Sequence, residues 1–249
     1  MVGKAHDTIY SNNIKEYYNA NTIFSNKLFD IFLNSTAKIF ITLSSVKAVA
    51  DHSDYPLTED QIPHPQTHYG KSKLLAEDYI LKKKLPNGKR VFILRPCMIH
   101  GPGNKGNLNL LYSIIRKGIP WPLGAYENKR SFCSIENLFF VIKELIENEN
   151  IESGVYNVAD DEPLSTNEII KLISLSLSKN PKIIKIPKFI MRFTAKFGDV
   201  LRLPLNSERL SKLTEVFVVS NFKLKKAINK PLPVSSRIGL LKTLNSFNN

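Results

Sequence analysis

A parallel α/β architecture is predicted by three features of this 249-residue sequence. Ile39-Phe40-Ile41-Thr42-Leu43 and Val91-Phe92-Ile93-Leu94 are short, unbroken apolar runs, as expected of strands buried on both faces. Helical spacing of apolar residues separates the runs, and alternation of strand and helix is the pattern of parallel sheets. The first run ends at Ser44-Ser45, and ligands in open α/β sheets sit beyond the carboxyl ends of strands.

The elements follow in order. Phe24, Leu28, Ile31 and Phe32 fall at helical spacing and lead into the Ile39 run. Residues 50–68 form a loop rich in Asp, Pro and His, and a helix opens at Tyr69 and fades by Pro86-Asn87-Gly88. After the 91–94 strand come a helix over 108–117 and another over 135–147. A short strand follows at Val155-Tyr156-Asn157-Val158, then a helix after Ser165, where Ser165-x-x-Glu168 is a capping box. The sequence has no repeats and no long linker.

Composition bounds the function classes. With 43% hydrophobic residues the chain buries a real core, in one large or two small domains. No apolar run approaches the ~20 residues that span a bilayer, and the first seven residues are not a signal peptide. Cys97 and Cys133 have neither metal-ligand spacing nor the density of a disulfide framework, so no metal is expected and the chain reads as cytoplasmic. The 35 Lys and Arg against 22 Asp and Glu give +13, but no basic–aromatic motif points to nucleic acid. Part of the excess lies in Lys179, Lys182, Lys185, Lys188, Arg192, Lys196 and Arg202, against Asp199 as the one acid. Two readings fit Lys188, Arg192 and Lys196 beside Phe189, Ile190, Phe193 and Phe197. One is a helix packing its apolar side into the core; the other is a membrane-surface helix.

Tyr69 and Lys73 lie one helical turn apart, downstream of a strand-end serine. A phenol and an ammonium so placed, facing the Ser45 hydroxyl, form a proton-transfer device. An ordinary tyrosine near pKa 10 is too basic for neutral pH, and Lys73 is expected to pull it down. Tyr79 and Lys83 repeat the spacing. Ten residues at about 100° each turn Tyr79 roughly 80° from Tyr69, so the two cannot address one site.

These residues carry a family resemblance. Leu43-Ser44-Ser45-Val46, the run from Pro65 through Tyr69 to Lys73, Leu94-Arg95-Pro96, Gly101-Pro102-Gly103, and Asn157-Val158-Ala159-Asp160 with Leu164-Ser165 occur in a matching order. The chain resembles the extended short-chain dehydrogenase/reductases, within them the NAD-dependent epimerase/dehydratase family. The branch it looks most like acts at C4 of diphosphate-carried sugars in polysaccharide biosynthesis. The resemblance implies a Rossmann-like doubly wound parallel sheet and a smaller C-terminal α+β substrate lobe. Residues 1–100 would be the remainder of the dinucleotide-binding domain. Residues 101–249 would mainly form the lobe, with segments returning to the sheet. The family's opening Gly-x-x-Gly-x-x-Gly turn has no counterpart among the 11 glycines. Met1-Val2-Gly3 resembles the end of the family's fourth strand, so the sequence reads as N-terminally truncated by roughly 60–90 residues.

By resemblance, Ser45, Tyr69 and Lys73 are catalytic, and NAD or NADP meets Asn21, Tyr69, Lys73, Pro96 and Cys97. For Asn21 the alternative is a helix cap or loop residue, and for Cys97 a buried thiol. Asn107 and Arg130 match the positions expected to bind the diphosphate of a nucleotide sugar, and Arg209 is a candidate second contact; the alternatives are helix capping for Asn107 and ion pairs for the arginines. Trp121 reads as packing rather than as a sugar platform. Val46-Lys47 stands where the family's dehydratases carry an acidic pair, which argues against dehydration and leaves epimerase and 4-ketoreductase. His100 stands where many relatives carry a tyrosine. A homodimer and peripheral membrane association through residues 188–202 are candidate associations. The rival to an enzyme is a catalytically inactive sugar-nucleotide-binding or interaction protein.

Overall fold

The two apolar runs pair side by side in a computed structural model that describes residues 14–53, 55–104, 106–201 and 206–248. Strands β1 (Ile39–Leu43) and β2 (Arg90–Pro96) are parallel, with Ile39 opposite Arg90 and Leu43 opposite Leu94. Strand β5 (Gly154–Val158) joins the other side of β2, also parallel, giving the order β1-β2-β5. The central strand is buried from Val91 onward. β1 departs from expectation. It is half-buried at every residue rather than buried on both faces, because among the described residues it has a strand neighbour on one side only. Met1-Val2-Gly3, read as a strand end, lies outside the described residues.

Two compact units divide the chain. The first comprises residues up to Met98 together with 137–159 and 219–233; the second comprises 99–136, 160–218 and 234–249. In the first unit, helices α1 (Ile14–Tyr17) and α2 (Phe24–Asn34) are joined by a π-helical turn, Tyr18–Ile23. Phe29 and Phe32 of α2 meet Val91 and Ile93 of β2 and Ile80 of α3 (His68–Lys82), with Phe40 packed against them. Aromatic contacts among Phe29, Phe32 and Phe40 at centroid distances of 5.2–5.8 Å tie helix to sheet.

The second unit contains α4 (Asn107–Arg116), α6 (Thr166–Ser176), α7 (Lys188–Leu201), α8 (Ser207–Thr214) and α10 (Ser236–Asn245). A two-stranded sheet pairs β3 (Met98–His100) with β4 (Phe132–Ser134), and α5 (Ile135–Glu147) leads back to the first unit, where α9 (Phe222–Ile228) packs on β5. The capping box forms at α6 as expected, with Ser165 and Glu168 bonded reciprocally. Helix α7 packs inward, but not through the phenylalanine side that the core-packing reading expected. Its inward residues are Met191, Ala195 and Gly198, while Phe189, Phe193 and Phe197 are exposed.

Candidate active site

The site begins where β1 stops. Ser44 and Ser45 follow Leu43, and Ser45 caps a 3₁₀ turn, Val46–Ala48, by accepting from the Lys47 N–H at 3.2 Å. Helix α3 starts at the Thr67 cap, whose hydroxyl accepts from the Gly70 N–H at 3.1 Å. A Cβ at Gly70 would lie 2.2 Å from the Lys47 carbonyl oxygen and 2.9 Å from Pro65 Cβ. The first turn of α3 therefore lies directly on the turn after Ser45, an approach only glycine permits. This approach brings the Tyr69 phenol to the Ser45 side chain, which hydrogen-bonds it. One turn on, the Lys73 ammonium donates to the Leu43 carbonyl at 2.9 Å. The structure thus brings Ser45, Tyr69 and Lys73 together at the carboxyl end of β1.

Residues around the triplet hold this arrangement, and of these only Asn21 was a candidate from the sequence. Asn21 is neither cap nor loop; it is buried inside the π-helical turn and donates to Ser72 Oγ at 3.1 Å. Thr22 Oγ1 donates to the Ser72 carbonyl at 2.7 Å, and Ser72 Oγ donates to the Tyr69 carbonyl at 2.8 Å. The π turn, a geometry found often at functional sites, sets both side chains against one residue of α3. Tyr17 packs edge-on to Tyr69, with centroids 6.2 Å apart. Behind Lys73, the buried Glu77 carboxylate accepts from Arg95 Nε at 3.1 Å through each oxygen and also from the Ser44 hydroxyl. A spacing signal existed: Glu77 follows Lys73 by four residues. Its burial against Arg95 depends on the β2–α3 contact and was not visible in the sequence.

The electrostatics correct one expectation. Burial, the largest effect, raises the Tyr69 phenol above its ordinary value; the Ser45 hydrogen bond opposes it and Tyr17 adds to it. Lys73 does not pull the phenol below that value. The ammonium is itself pushed down by burial, with Glu77 drawing it back up. Lys73 carries three N–H donors and spends one on Leu43. That donor set fits a ribose diol beside Tyr69, as a nicotinamide nucleotide would present.

Tyr79 has a different role. Its hydroxyl donates to Asp30 of α2 at 2.7–2.8 Å, and Lys83 sits over its ring at 4.8 Å and 3.7 Å from the same carboxylate. The second Tyr-x-x-x-Lys pair fastens α3 to α2.

The remaining residues are placed as follows. Pro96 ends β2, and the buried Cys97 follows it, its N–H bonded to the Val158 carbonyl at 3.1 Å. Cys133 is also buried, and burial pushes its thiol pKa up. In the second unit Asn107 is exposed in the first turn of α4. Gly106 occupies the capping position at φ 134°, so capping is not the role of Asn107. Half-buried Arg130 pairs with Glu215 at 2.8 Å, and Arg209 is exposed in the first turn of α8. Trp121 is buried. His100 is sealed in the second unit, 3.0 Å from Thr243 Oγ1 and 3.5 Å from the Asp160 carboxylate. Among the described residues no cluster of three or more His, Cys, Asp or Glu is placed to hold a metal, and no helix is long and apolar enough to cross a membrane.

Comparison with known proteins accords with this geometry. The chain is 28% identical over 235 residues to a UDP-glucose 4-epimerase of Vibrio cholerae, covering 93% of this chain and 70% of that protein. It is 28% identical over 214 residues to the N-acetyl-alpha-D-glucosaminyl-diphospho-ditrans,octacis-undecaprenol 4-epimerase of Escherichia coli O157:H7, covering 84% of this chain and 61% of that one. Among solved structures, a UDP-glucuronic acid 4-epimerase from Bacillus cereus in complex with NAD superposes with a TM-score of 0.73 at 17% identity, over 100% of this chain and 72% of that one. The fold is thus that of the Rossmann-like epimerases. A model of the NAD dependent epimerase/dehydratase family matches residues 1–159, and the chain belongs to that family.

Proposed function

We propose that this chain supplies the catalytic and substrate-binding residues of an epimerase or 4-ketoreductase acting at C4 of a diphosphate-linked sugar, in cell-surface polysaccharide biosynthesis. The observation that carries the reading is the Tyr69 phenol bonded to Ser45, with Lys73 fixed on the Leu43 carbonyl at a strand end. The names of the two relatives support it, since both are 4-epimerases of sugars joined to a diphosphate.

A bound nicotinamide, as NAD or NADP, supplies the hydride acceptor and donor for the sugar carbon. Tyr69 Oη takes the proton from the C4 hydroxyl as the carbon is oxidised and returns it on reduction. Ser45 holds the same oxygen and lowers the tyrosine's pKa against its burial. The Lys73 ammonium, held on the Leu43 carbonyl, would bind the nicotinamide ribose with its remaining N–H donors. Asn21 acts through Ser72, fixing the backbone from which Tyr69 extends. Pro96 and Cys97, at the end of β2, would carry backbone near the nicotinamide. Val46 is buried and Lys47 reaches the Asp51 carbonyl at 2.8 Å, so the two positions after Ser45 carry no acid for removing water.

Asn107, Arg130 and Arg209 are assigned to the diphosphate, with a UDP-linked hexose or N-acetylhexosamine as the substrate class. Arg130 offers a planar fork suited to phosphate. Turnover should be assayed in a form of the enzyme supplied with a glycine-rich dinucleotide-binding segment. A diphosphate contact far from the reacting carbon is made alike in ground and transition states. Arg130→Ala should therefore raise KM by roughly 10- to 150-fold, the equivalent of a lost charge-assisted hydrogen bond, with kcat little changed. Turnover of a free sugar lacking any diphosphate, untouched by Arg130→Ala, would overturn the assignment.

A further inference from the structure

Helix α7 has two apolar faces, and only one of them is used within its own unit. Met191 and Ala195 point inward and are 4% and 1% exposed, and Gly198 on the same side is buried. On the outward side Phe189 is 72% exposed, Phe193 65%, Phe197 56% and Val200 80%. At about 100° per residue these four fall within an arc of about 80°, roughly opposite the inward face, and run about 17 Å along the helix. Phe193 and Phe197 touch each other, with centroids 5.7 Å apart, so the stripe is continuous. Lys188, Arg192 and Lys196 form an exposed row along one flank of it. Asp199 shares that flank, but its carboxylate accepts from the Ser207 N–H at 2.9 Å and the Ser207 hydroxyl at 2.5 Å. Its charge is thereby directed to the start of α8.

We infer that this face of α7 docks on an anionic phospholipid surface, with the aromatic stripe in the acyl–headgroup boundary and the basic row on lipid phosphates. An apolar stripe edged by lysine and arginine is the composition that lies in a bilayer interface. The net charge of +13 draws the whole chain to such a surface. A second copy of the chain is a poorer occupant. A two-fold contact through the stripe repeats the same basic row on both sides and adds like charges at one seam. The inference concerns the surface of the second unit and stands independently of the reaction at Tyr69.

The test is flotation of the full 249-residue chain with vesicles of phosphatidylcholine alone or mixed with phosphatidylglycerol. The chain should float with the mixed vesicles, weakly or not at all with the neutral ones, and less at high salt. Phe193→Ser with Phe197→Ser should weaken the partition on the order of 100-fold, from about tenfold or more per aromatic side chain withdrawn from the interface. Lys188→Gln, Arg192→Gln and Lys196→Gln together should cost a similar factor on anionic vesicles only, at about fivefold per charge. Circular dichroism of both variants should match the parent, since all five side chains are exposed. Absence of flotation, or flotation unchanged in both variants, overturns the proposal. So does a dimer that the Phe variants convert to monomer without any change in vesicle binding.

Discussion

Arg95→Met removes one member of a buried ion pair and leaves the other in place. Arg95 is 4% exposed and Glu77 1%, and the guanidinium Nε lies 3.1 Å from both carboxylate oxygens. Without Arg95, Glu77 keeps only the Ser44 hydroxyl of these two partners, and a buried charge stripped of its partner costs about 3–5 kcal/mol. At about 2–4 °C per kcal/mol for a chain of this size, the melting transition of the first unit should fall by roughly 6–20 °C. Adding Glu77→Leu removes the orphaned charge, and the double variant should recover most of the loss, since a buried pair replaced by apolar residues is often neutral. Thermal unfolding followed by circular dichroism, on the parent, both single variants and the double, completes the cycle. An Arg95→Met protein that melts with the parent, or a double variant no better than the single, would refute the reasoning. The pair also bears on the site: Glu77 draws the Lys73 pKa up against burial, so Glu77→Gln should lower it further.

Gly70→Ala sets a methyl against the Lys47 carbonyl at 2.2 Å, and backbone cannot step aside as a side-chain tip can. It should cost about 1–3 kcal/mol in urea unfolding and loosen the Tyr69–Ser45 contact; a neutral effect would contradict the packing described. In the dinucleotide-free chain Tyr69 should titrate above an ordinary tyrosine, and Ser45→Ala, which removes the opposing hydrogen bond, should push it higher. An acid whose folded pKa is raised binds its proton longer in the native state, so it costs stability as pH climbs through the unfolded value near 10. Ultraviolet difference titration of the parent against Tyr69→Phe reads this, and a tyrosine lost below 10 would count against it.

The triplet was legible because its signals are local: a serine ending an apolar run and a tyrosine opening a helix. Helix angle kept Tyr69 and Tyr79 from sharing a site, and the upstream serine and the helix start favoured Tyr69, but what Tyr79 does needed Asp30, 49 residues away. Parallel pairing of β1, β2 and β5 was readable from alternation, whereas the half-exposure of β1 depends on what lies beside it. Sequence could not decide which apolar face of α7 turns inward. Large aromatics look like core, yet the small Ala195 and Gly198 are what permit close packing, and the phenylalanines are left outside. The pKa of Tyr69 was misjudged because helix spacing reveals the lysine one turn away but not the burial of the phenol.

Tyr69, and not Tyr79, is proposed to transfer the proton at C4. In a form of the enzyme carrying a glycine-rich dinucleotide-binding segment, kcat should be measured for Tyr69→Phe and Tyr79→Phe side by side on a UDP-linked hexose. Tyr69→Phe should lower kcat by about 10²–10⁴ with substrate affinity little changed. Tyr79→Phe should leave kcat near the parent's and show its effect in stability, through the lost bond to Asp30. Equal behaviour of the two variants, or a silent Tyr69→Phe, would contradict the assignment.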